Sequence, residues 1–335
     1  MKDAPTTPPT GGSTPPEEPR ASEESEEIAL EDAATAGTPR SKRRIVLAEV
    51  AGFCFGVKRA VELTETARRE RSGKLTTLGP LVHNEQVIAK MQAEGIETVP
   101  SLDRIAEGTV VLSAHGVAPT VTAQAKAQGL YVVDVTCPFV TKVHRMARQL
   151  HEQGYQVLIV GDEGHTEVKG TLGVVEALGG TATVVSSPET VGELKLSKKV
   201  GVVSQTTQRA ANFVAVVAEV CKVATDVRAI NTICYATDEL QEAAVRLAHQ
   251  VQVVIVIGGK KSANTRRLRQ LCEEQGVPAY HIETAAEIEE AWLEGKEVIG
   301  LTAGASTPDW IIEEVACHLN GGHLPEDWRL HHPEV

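Results

Sequence analysis

The chain has 335 residues, is 42% hydrophobic and 23% charged, and carries a net charge of −12. Single cores stop growing at roughly 250–300 residues, so two or three domains of ordinary globular composition are expected. An acidic chain with 3% aromatic residues lacks the basic footprint and the stacking platforms of a nucleic-acid binder, and no run approaches the ~20 apolar residues of a membrane helix, so neither nucleic acid nor membrane is an expected partner.

Residues 1–39 hold 7 of the 16 prolines, 9 acidic and 2 basic residues. Such a stretch buries too little apolar surface to offset its ordering entropy, and disorder is expected for the extension up to residue 44. It lacks the apolar segment of a secretory signal and is too acidic for a transit peptide, which points to the cytoplasm. Thiols there stay reduced, so the six cysteines point to metal binding or catalysis before disulfides.

From Ile45 onward one unit recurs three times: strand, Cys, amphipathic helix, strand, polar loop, then a helix and a further strand ending in a polar turn. The first copy follows a strand at Ile45–Ala48 with Cys54 in Gly52-Phe53-Cys54-Phe55-Gly56. It continues with a helix from Val57 to about Arg71, a strand at Leu75–Leu78 and a loop bearing His83. Its last strand ends at Ser113-Ala114-His115-Gly116. The second copy starts at Cys137, with a helix to about Glu152, a strand at Val157–Val160, the loop Gly161-Asp162-Glu163-Gly164-His165 and the turn Ser204-Gln205-Thr206-Thr207. The third starts at Cys234, with a helix to about His249, a strand at Val253–Ile257, the loop Gly258 to Asn264 and the turn Thr302 to Ser306. The intervals Cys54–His83, Cys137–His165 and Cys234–Ser262 are 29, 28 and 28 residues. Alternating strands and helices predict parallel sheets, whose ligands bind outside the carboxyl ends of the strands. Every polar turn above lies at such an end. Convergence of the three units on one site is therefore expected over a linear array of domains.

Cys54, Cys137 and Cys234 each stand between a strand end and a helix start, where the helix N-terminus favours the thiolate. Cys221, Cys272 and Cys317 lie within helical patterns and read as small core residues. Three distant thiolates with no C-x-x-C pair fit two metals. One is a closed zinc site with a fourth ligand. The other is a cubane iron–sulfur cluster, which then keeps one iron open. His83, His115 and His165 imply a polar, partly cationic pocket for an anion. Ser262, Asn264, Thr206 and Ser306 add neutral donors, and no nucleotide-binding fingerprint is present. The pocket suits a short diphosphate. In an extended loop His165 and Glu167 point the same way, and Glu167, desolvated beside a diphosphate, would hold its proton and act as a general acid.

Taken with Thr136-Cys137-Pro138-Phe139-Val140-Thr141-Lys142-Val143-His144, Glu163-Gly164-His165-Thr166-Glu167-Val168 and Ile233-Cys234-Tyr235-Ala236-Thr237, these motifs resemble the 4-hydroxy-3-methylbut-2-enyl diphosphate reductase family over about residues 45–312. The resemblance implies three small, mostly parallel α/β domains in a pseudo-threefold trefoil around a central 4Fe-4S cluster, one per subunit. Cys54, Cys137 and Cys234 would ligate it and leave one iron open. His83, His115, His165, Thr206, Ser262, Asn264 and Ser306 would line the substrate pocket, with Glu167 as proton donor. The implied substrate is a small allylic diphosphate, reduced to isopentenyl and dimethylallyl diphosphate, with ferredoxin or flavodoxin as electron donor. The expected divisions are 45–55, packing with the third unit, then 56–137, 138–230 and 231–320, and a tail at 321–335. Ala263 stands where the family carries Ser, and Lys261 where Asn is common, adding positive charge near the phosphates. The extension and the tail lie outside the family pattern. Quinolinate synthase, another three-Cys cluster enzyme, has different motifs, and a zinc-stabilised, non-catalytic anion-binding protein is the alternative of another class.

Overall fold

In the computed structural model, residues 43–333 are described. The expected disordered extension, except Arg43 and Arg44, lies outside them. The chain begins with β1 (Arg44–Leu47) and the first Cys loop, then α1 (Phe55–Glu70), β2 (Leu75–Leu78), α2 (Glu85–Ala93), β3 (Ile96–Val99), β4 (Thr109–Leu112), α3 (Pro119–Ala127) and β5 (Tyr131–Asp134). After Cys137 come α4 (Pro138–Glu152), β6 (Gln156–Val160), α5 (Thr166–Glu176), β7 (Ala182–Val185), α6 (Pro188–Val191), β8 (Lys199–Ser204), α7 (Ala210–Cys221) and β9 (Asp226–Ala229). After Cys234 come α8 (Tyr235–Ala248), β10 (Val253–Ile257), α9 (Ala263–Glu274), β11 (Ala279–Ile282), β12 (Val298–Ala303) and α10 (Asp309–Leu319).

These strands form three four-stranded sheets of one design, ordered β3-β2-β4-β5, β7-β6-β8-β9 and β11-β10-β12-β1. All pairings are parallel. The outer strand next to each Cys belongs to the sheet before it. β1 pairs with β12 of the last sheet, Ile45 opposite Ile299, and the chain passes through Cys54 into the first sheet. Cys137 and Cys234 make the same handover after β5 and β9.

The central strands explain why the sheets are covered on both faces. β10 reads Val-Val-Ile-Val-Ile and is buried throughout. Alternate residues feed two clusters, Ile255 and Ile257 on one side, Val254 and Val256 on the other. Near-continuous β-branched runs are the signature of such doubly covered parallel sheets. Helices supply the covering stripes. In α4 the buried residues Val140, Val143, Ala147 and Leu150 repeat at three and four positions, one face of a helix.

The tail is a structural part of the last unit. Leu324, Trp328 and Leu330 pack on the cluster built from Ile255, Ile299 and Ile312. His331 O accepts from Ala51 N at 2.9 Å, and the His332 ring bonds Ala51 O at 3.2 Å. Both main-chain groups of Ala51, three residues before Cys54, are thus held by the tail. Truncation after Gly322 is expected to cost about 3 kcal/mol through re-exposed apolar surface, and to loosen the Cys54 loop. Thermal unfolding of full-length and truncated chains checks this, and an unchanged melting temperature would show that the tail contributes nothing.

Candidate active site

The three sheets share a property that places the site. In each, strand order reverses between the first and third strands of the unit: β2/β4, β6/β8 and β10/β12. Ligands of open α/β sheets bind in the crevice at this switch point. His83 follows β2 and His115 follows β4. His165 and Glu167 follow β6, and Thr206 follows β8. Ser262 and Asn264 follow β10, and Ser306 follows β12. All eight line one cavity of about 730 Å³, part of it open to solvent, together with Cys54, Cys137 and Cys234. A linear array of domains could not bring these residues together.

Each cysteine is the N-cap of its helix, α1, α4 or α8. Its amide is held by the carbonyl of a switch-point loop: Cys54 by Ala305 at 3.0 Å, Cys137 by Ala114 at 3.0 Å and Cys234 by Thr206 at 2.9 Å. This threefold pattern ties every cysteine to a pocket loop, since Ala305 precedes Ser306 and Ala114 precedes His115. The helix starts crowd together. A Cβ on Gly56 would lie 2.4 Å from Cys137 Sγ, and the Phe139 and Tyr235 rings meet edge to face with centroids 5.5 Å apart. Backbone N–H groups of the first turns point at each sulfur, but burial outweighs them. Burial pushes the Cys54 thiol up to about 11 and Cys234 to about 12, and raises Cys137. Left as bare thiolates these groups are unfavourable, whereas metal coordination deprotonates a thiol outright.

The histidines pack as a trio, His83 to His115 at 4.1 Å, His83 to His165 at 5.2 Å and His115 to His165 at 5.9 Å between centroids. Desolvation leads in lowering all three. His83 falls to about 4, also pushed by His165, and His115 lies well below its ordinary value. Without ligand the trio is therefore a set of neutral donors, not the partly cationic pocket expected. His165 caps α5, its Nδ1 accepting from Glu167 N at 3.2 Å. That fixes the neutral tautomer with the proton on Nε2. Glu167 reaches the cavity from the first turn of α5 and not from an extended loop.

Glu167 is 3% exposed. Its Oε1 accepts from Thr206 N and its Oε2 meets Thr206 Oγ1, both at 2.7 Å. Burial raises its pKa to about 7 against the lowering effect of both Thr206 bonds. Ser306 Oγ donates to His83 O at 3.3 Å, bridging the first and third units. Asn264 is 3% exposed, and neither its Oδ1 nor its Nδ2 has a partner; His115 Nδ1 is also buried and unpaired. Groups so buried are almost always bonded, so these atoms await a polar ligand. Lys261 does not serve that end, because its Nζ pairs with Glu85 at 3.0 Å on the surface. Two features escaped sequence reasoning. Gly56 was read only as part of a motif, and Gln205, buried beside Thr206, receives Asp162 N at 2.8 Å and so shapes the His165 loop.

The pKa directions set a stability trend. His83, His115, His144 and His165 have depressed folded values, so their contribution is present above the ordinary 6.5 and lost as pH falls towards 4. Glu167 acts oppositely, its contribution present below 4.5 and lost as pH rises through about 7. With the similarly depressed His281, these histidines outweigh Glu167 and the raised Asp238, and urea unfolding of substrate-free protein should show stability dropping from pH 6.5 to 5. A flat profile would mean that the histidines are not held neutral.

A model of the LytB protein family matches residues 45–320. The chain belongs to the LytB family. Relatives in it include the 4-hydroxy-3-methylbut-2-enyl diphosphate reductases of Aquifex aeolicus, 46% identical over 82% of this chain and 95% of that one, and of Pelobacter propionicus, 46% identical over 81% and 96%. Two solved LytB-family structures are similar. One is of (E)-4-hydroxy-3-methylbut-2-enyl diphosphate reductase, the terminal enzyme of the non-mevalonate pathway, with TM-score 0.63, 44% identity, and coverage of 83% of this chain and 99% of that one. The other is the E-1-hydroxy-2-methyl-but-2-enyl-4-diphosphate reductase of Plasmodium falciparum, with TM-score 0.78, 26% identity, and coverage of 86% and 96%. The three parallel-sheet α/β units are thus those of LytB reductases.

LytB membership implies an iron–sulfur cofactor, and the donor set fits one. Three cysteines from three units line one cavity. Among the described residues no three His, Cys, Asp or Glu side chains are grouped to hold a single metal ion. A cluster offers each thiolate its own iron and does not demand that convergence.

Proposed function

We propose that the chain reduces (E)-4-hydroxy-3-methylbut-2-enyl diphosphate to isopentenyl and dimethylallyl diphosphate, the last step of the non-mevalonate isoprenoid pathway. Two electrons and two protons enter, and the hydroxyl leaves as water. The observation that carries this reading is the meeting of three cysteines, three histidines and a buried, protonatable glutamate in one cavity at three switch points.

In this reading Cys54, Cys137 and Cys234 hold one 4Fe-4S cluster per subunit, with one iron free of protein ligands. When bound, such a cluster supplies single electrons and a Lewis-acidic iron. The diphosphate sits against Ser262, Asn264, Ser306 and the histidines. Asn264 Nδ2 and the imidazole N–H groups donate to its oxygens, and the α9 N-terminus favours its charge. The anion reverses the depression of the histidine pKa values, so substrate binding takes up protons. Thr206 Oγ1 donates to Glu167 Oε2 at 2.7 Å; once Glu167 takes up its proton at Oε2, the hydroxyl turns to accept it. Thr206, whose carbonyl anchors Cys234, carries that proton towards the substrate hydroxyl beside the thiolates.

Reduced ferredoxin or flavodoxin is the proposed donor and the cytoplasm the proposed compartment. No helix among the described residues is long and apolar enough to cross a membrane. The proposed units run 56–137, 138–230 and 231–320, with 45–55 completing the third sheet.

Anaerobic purification with iron and sulfide analysis, followed by a reduced methyl viologen assay, tests the reading. The expected result is a brown protein that oxidises the dye only when the diphosphate is added. A cluster without turnover would reopen the substrate. A colourless zinc protein would overturn the redox chemistry.

A further inference from the structure

At each cysteine the wall between the cavity and the outside is one residue thick. The second and third residues after it line the cavity: Gly56 and Val57 after Cys54, Phe139 and Val140 after Cys137, Ala236 and Thr237 after Cys234. The first residue does not. Phe55 is 40% exposed, one of the few large apolar side chains left at the surface among the described residues, and Pro138 is exposed as well. Electron transfer weakens steeply with distance, so a carrier has to approach where the wall is thin. The helix starts offer that approach, while the polar loops at the strand ends face the cavity.

This outer side is cationic, although the chain carries a net charge of −12. In α4 the exposed residues Pro138, Lys142, Arg145 and Arg148 recur at three and four positions, on the face opposite the buried Val140, Val143, Ala147 and Leu150. No acidic residue occurs in α4 before Glu152. Lys142, Arg145 and Arg148 have no carboxylate partner among the described residues. α1 adds Lys58, exposed one turn after Phe55, and Arg59, whose Nη1 donates to Thr136 O at 3.4 Å, next to Cys137. That bond, with Gly56 set against Cys137, joins the starts of α1 and α4 into one surface. Its limits are acidic: Glu62 lies one turn further along α1, and α8 carries Asp238 and Glu239 at the places of Lys58 and Arg59.

We propose that this face, Phe55 with Lys58, Lys142 and Arg145, is the docking surface for an acidic one-electron carrier protein. The inference rests on the reading of the cysteines as cluster ligands. Opposite charge steers such a partner in and fixes its orientation. The exposed Phe55 ring, covalently next to Cys54, supplies the apolar contact of a small, transient electron-transfer encounter. Two carriers dock in turn, and each is oxidised by one electron. The two electrons and two protons break the C–O bond of one substrate: one proton leaves with the hydroxyl as water, and the other forms the new C–H bond.

The test uses holoenzyme with acidic ferredoxin and flavodoxin as carriers, beside methyl viologen, a small cationic dye that needs no protein surface. Lys142→Glu/Arg145→Glu should raise the KM for reduced carrier about tenfold at low salt and weaken calorimetric binding of oxidised carrier to a similar degree. Viologen-driven kcat should stay within about twofold. The wild-type carrier KM should climb with ionic strength, and that of the double variant should not. Lys126→Glu/Lys195→Glu makes the same charge change at exposed sites before β5 and β8, at the far ends of the strands, and should leave the carrier KM near wild type. Unchanged carrier KM and binding in the first variant, an equal loss in the second, or a parallel loss of viologen turnover overturns the proposal. So does wild-type enzyme that viologen drives and neither carrier binds, and the reductase reading then stands. Wild-type protein without a cluster or viologen-driven turnover removes that reading, and the proposal with it.

Discussion

Glu167→Gln lowers kcat about 10²- to 10⁴-fold, the usual worth of a positioned general acid, while cluster content and diphosphate affinity stay near wild type. The amide is isosteric. Its oxygen accepts from Thr206 N as Oε1 does now, and its nitrogen donates to Thr206 Oγ1, whose hydroxyl no longer donates to Oε2. The fold therefore loses little and the reaction loses its proton. The wild-type pH profile adds an independent sign. The acid form is the competent one, and its pKa stands at about 7 because burial dominates. kcat should be level on the acid side and fall about tenfold per pH unit above the apparent pKa. Bound diphosphate adds like charge and moves that limb to higher pH. The residual rate of Glu167→Gln should lack the limb. An unchanged kcat in this variant would remove Glu167 from its role as acid.

Gly56→Ala abolishes most cluster loading, although it adds one methyl group. The new Cβ would lie 2.4 Å from Cys137 Sγ and 3.3 Å from its Cβ. Neither side can yield easily. Cys137 is pinned by the hydrogen bond from its N–H to Ala114 O and by its place at the head of α4, and Gly56 lies buried in the first turn of α1. The methyl group must push two ligand-bearing helix starts apart. A displacement near 1 Å in such a constellation costs about 10²-fold in rate. Iron and sulfide per chain, read beside circular dichroism, separate this from unfolding. Native-like circular dichroism with lost iron is the expected outcome. Full iron and full turnover would mean that the helix starts are not the tight junction described.

Which parts of this were legible in advance follows from where the information lies. Strand and helix positions within a unit come from hydrophobic periodicity, which is local. The expected strand at Val253–Ile257 is β10, and the helix expected to end near Glu152 is α4, which does. The first helix starts at Phe55, two residues before the expected Val57, because Cys54 itself is the cap. The near-equal intervals between each cysteine and its polar loop were enough to bring the chemistry to one centre, since repeated units place equivalent residues at equivalent strand ends.

What the amino-acid order determined by itself was the inventory: three cysteines at helix starts, a histidine or serine at each switch point, and one glutamate fit to hold a proton. Tertiary structure decided the charge state and the partners. The histidines are neutral because three rings desolvate and repel one another, and no one loop encodes its neighbours. Lys261 is spent on Glu85 because pairing depends on which unit lies opposite. Gly56 is required, and the tail holds Ala51, because segments far apart in the chain come within contact distance. Periodicity and spacing describe one unit at a time, whereas these properties arise from contacts between units and between distant segments, which only the folded chain makes.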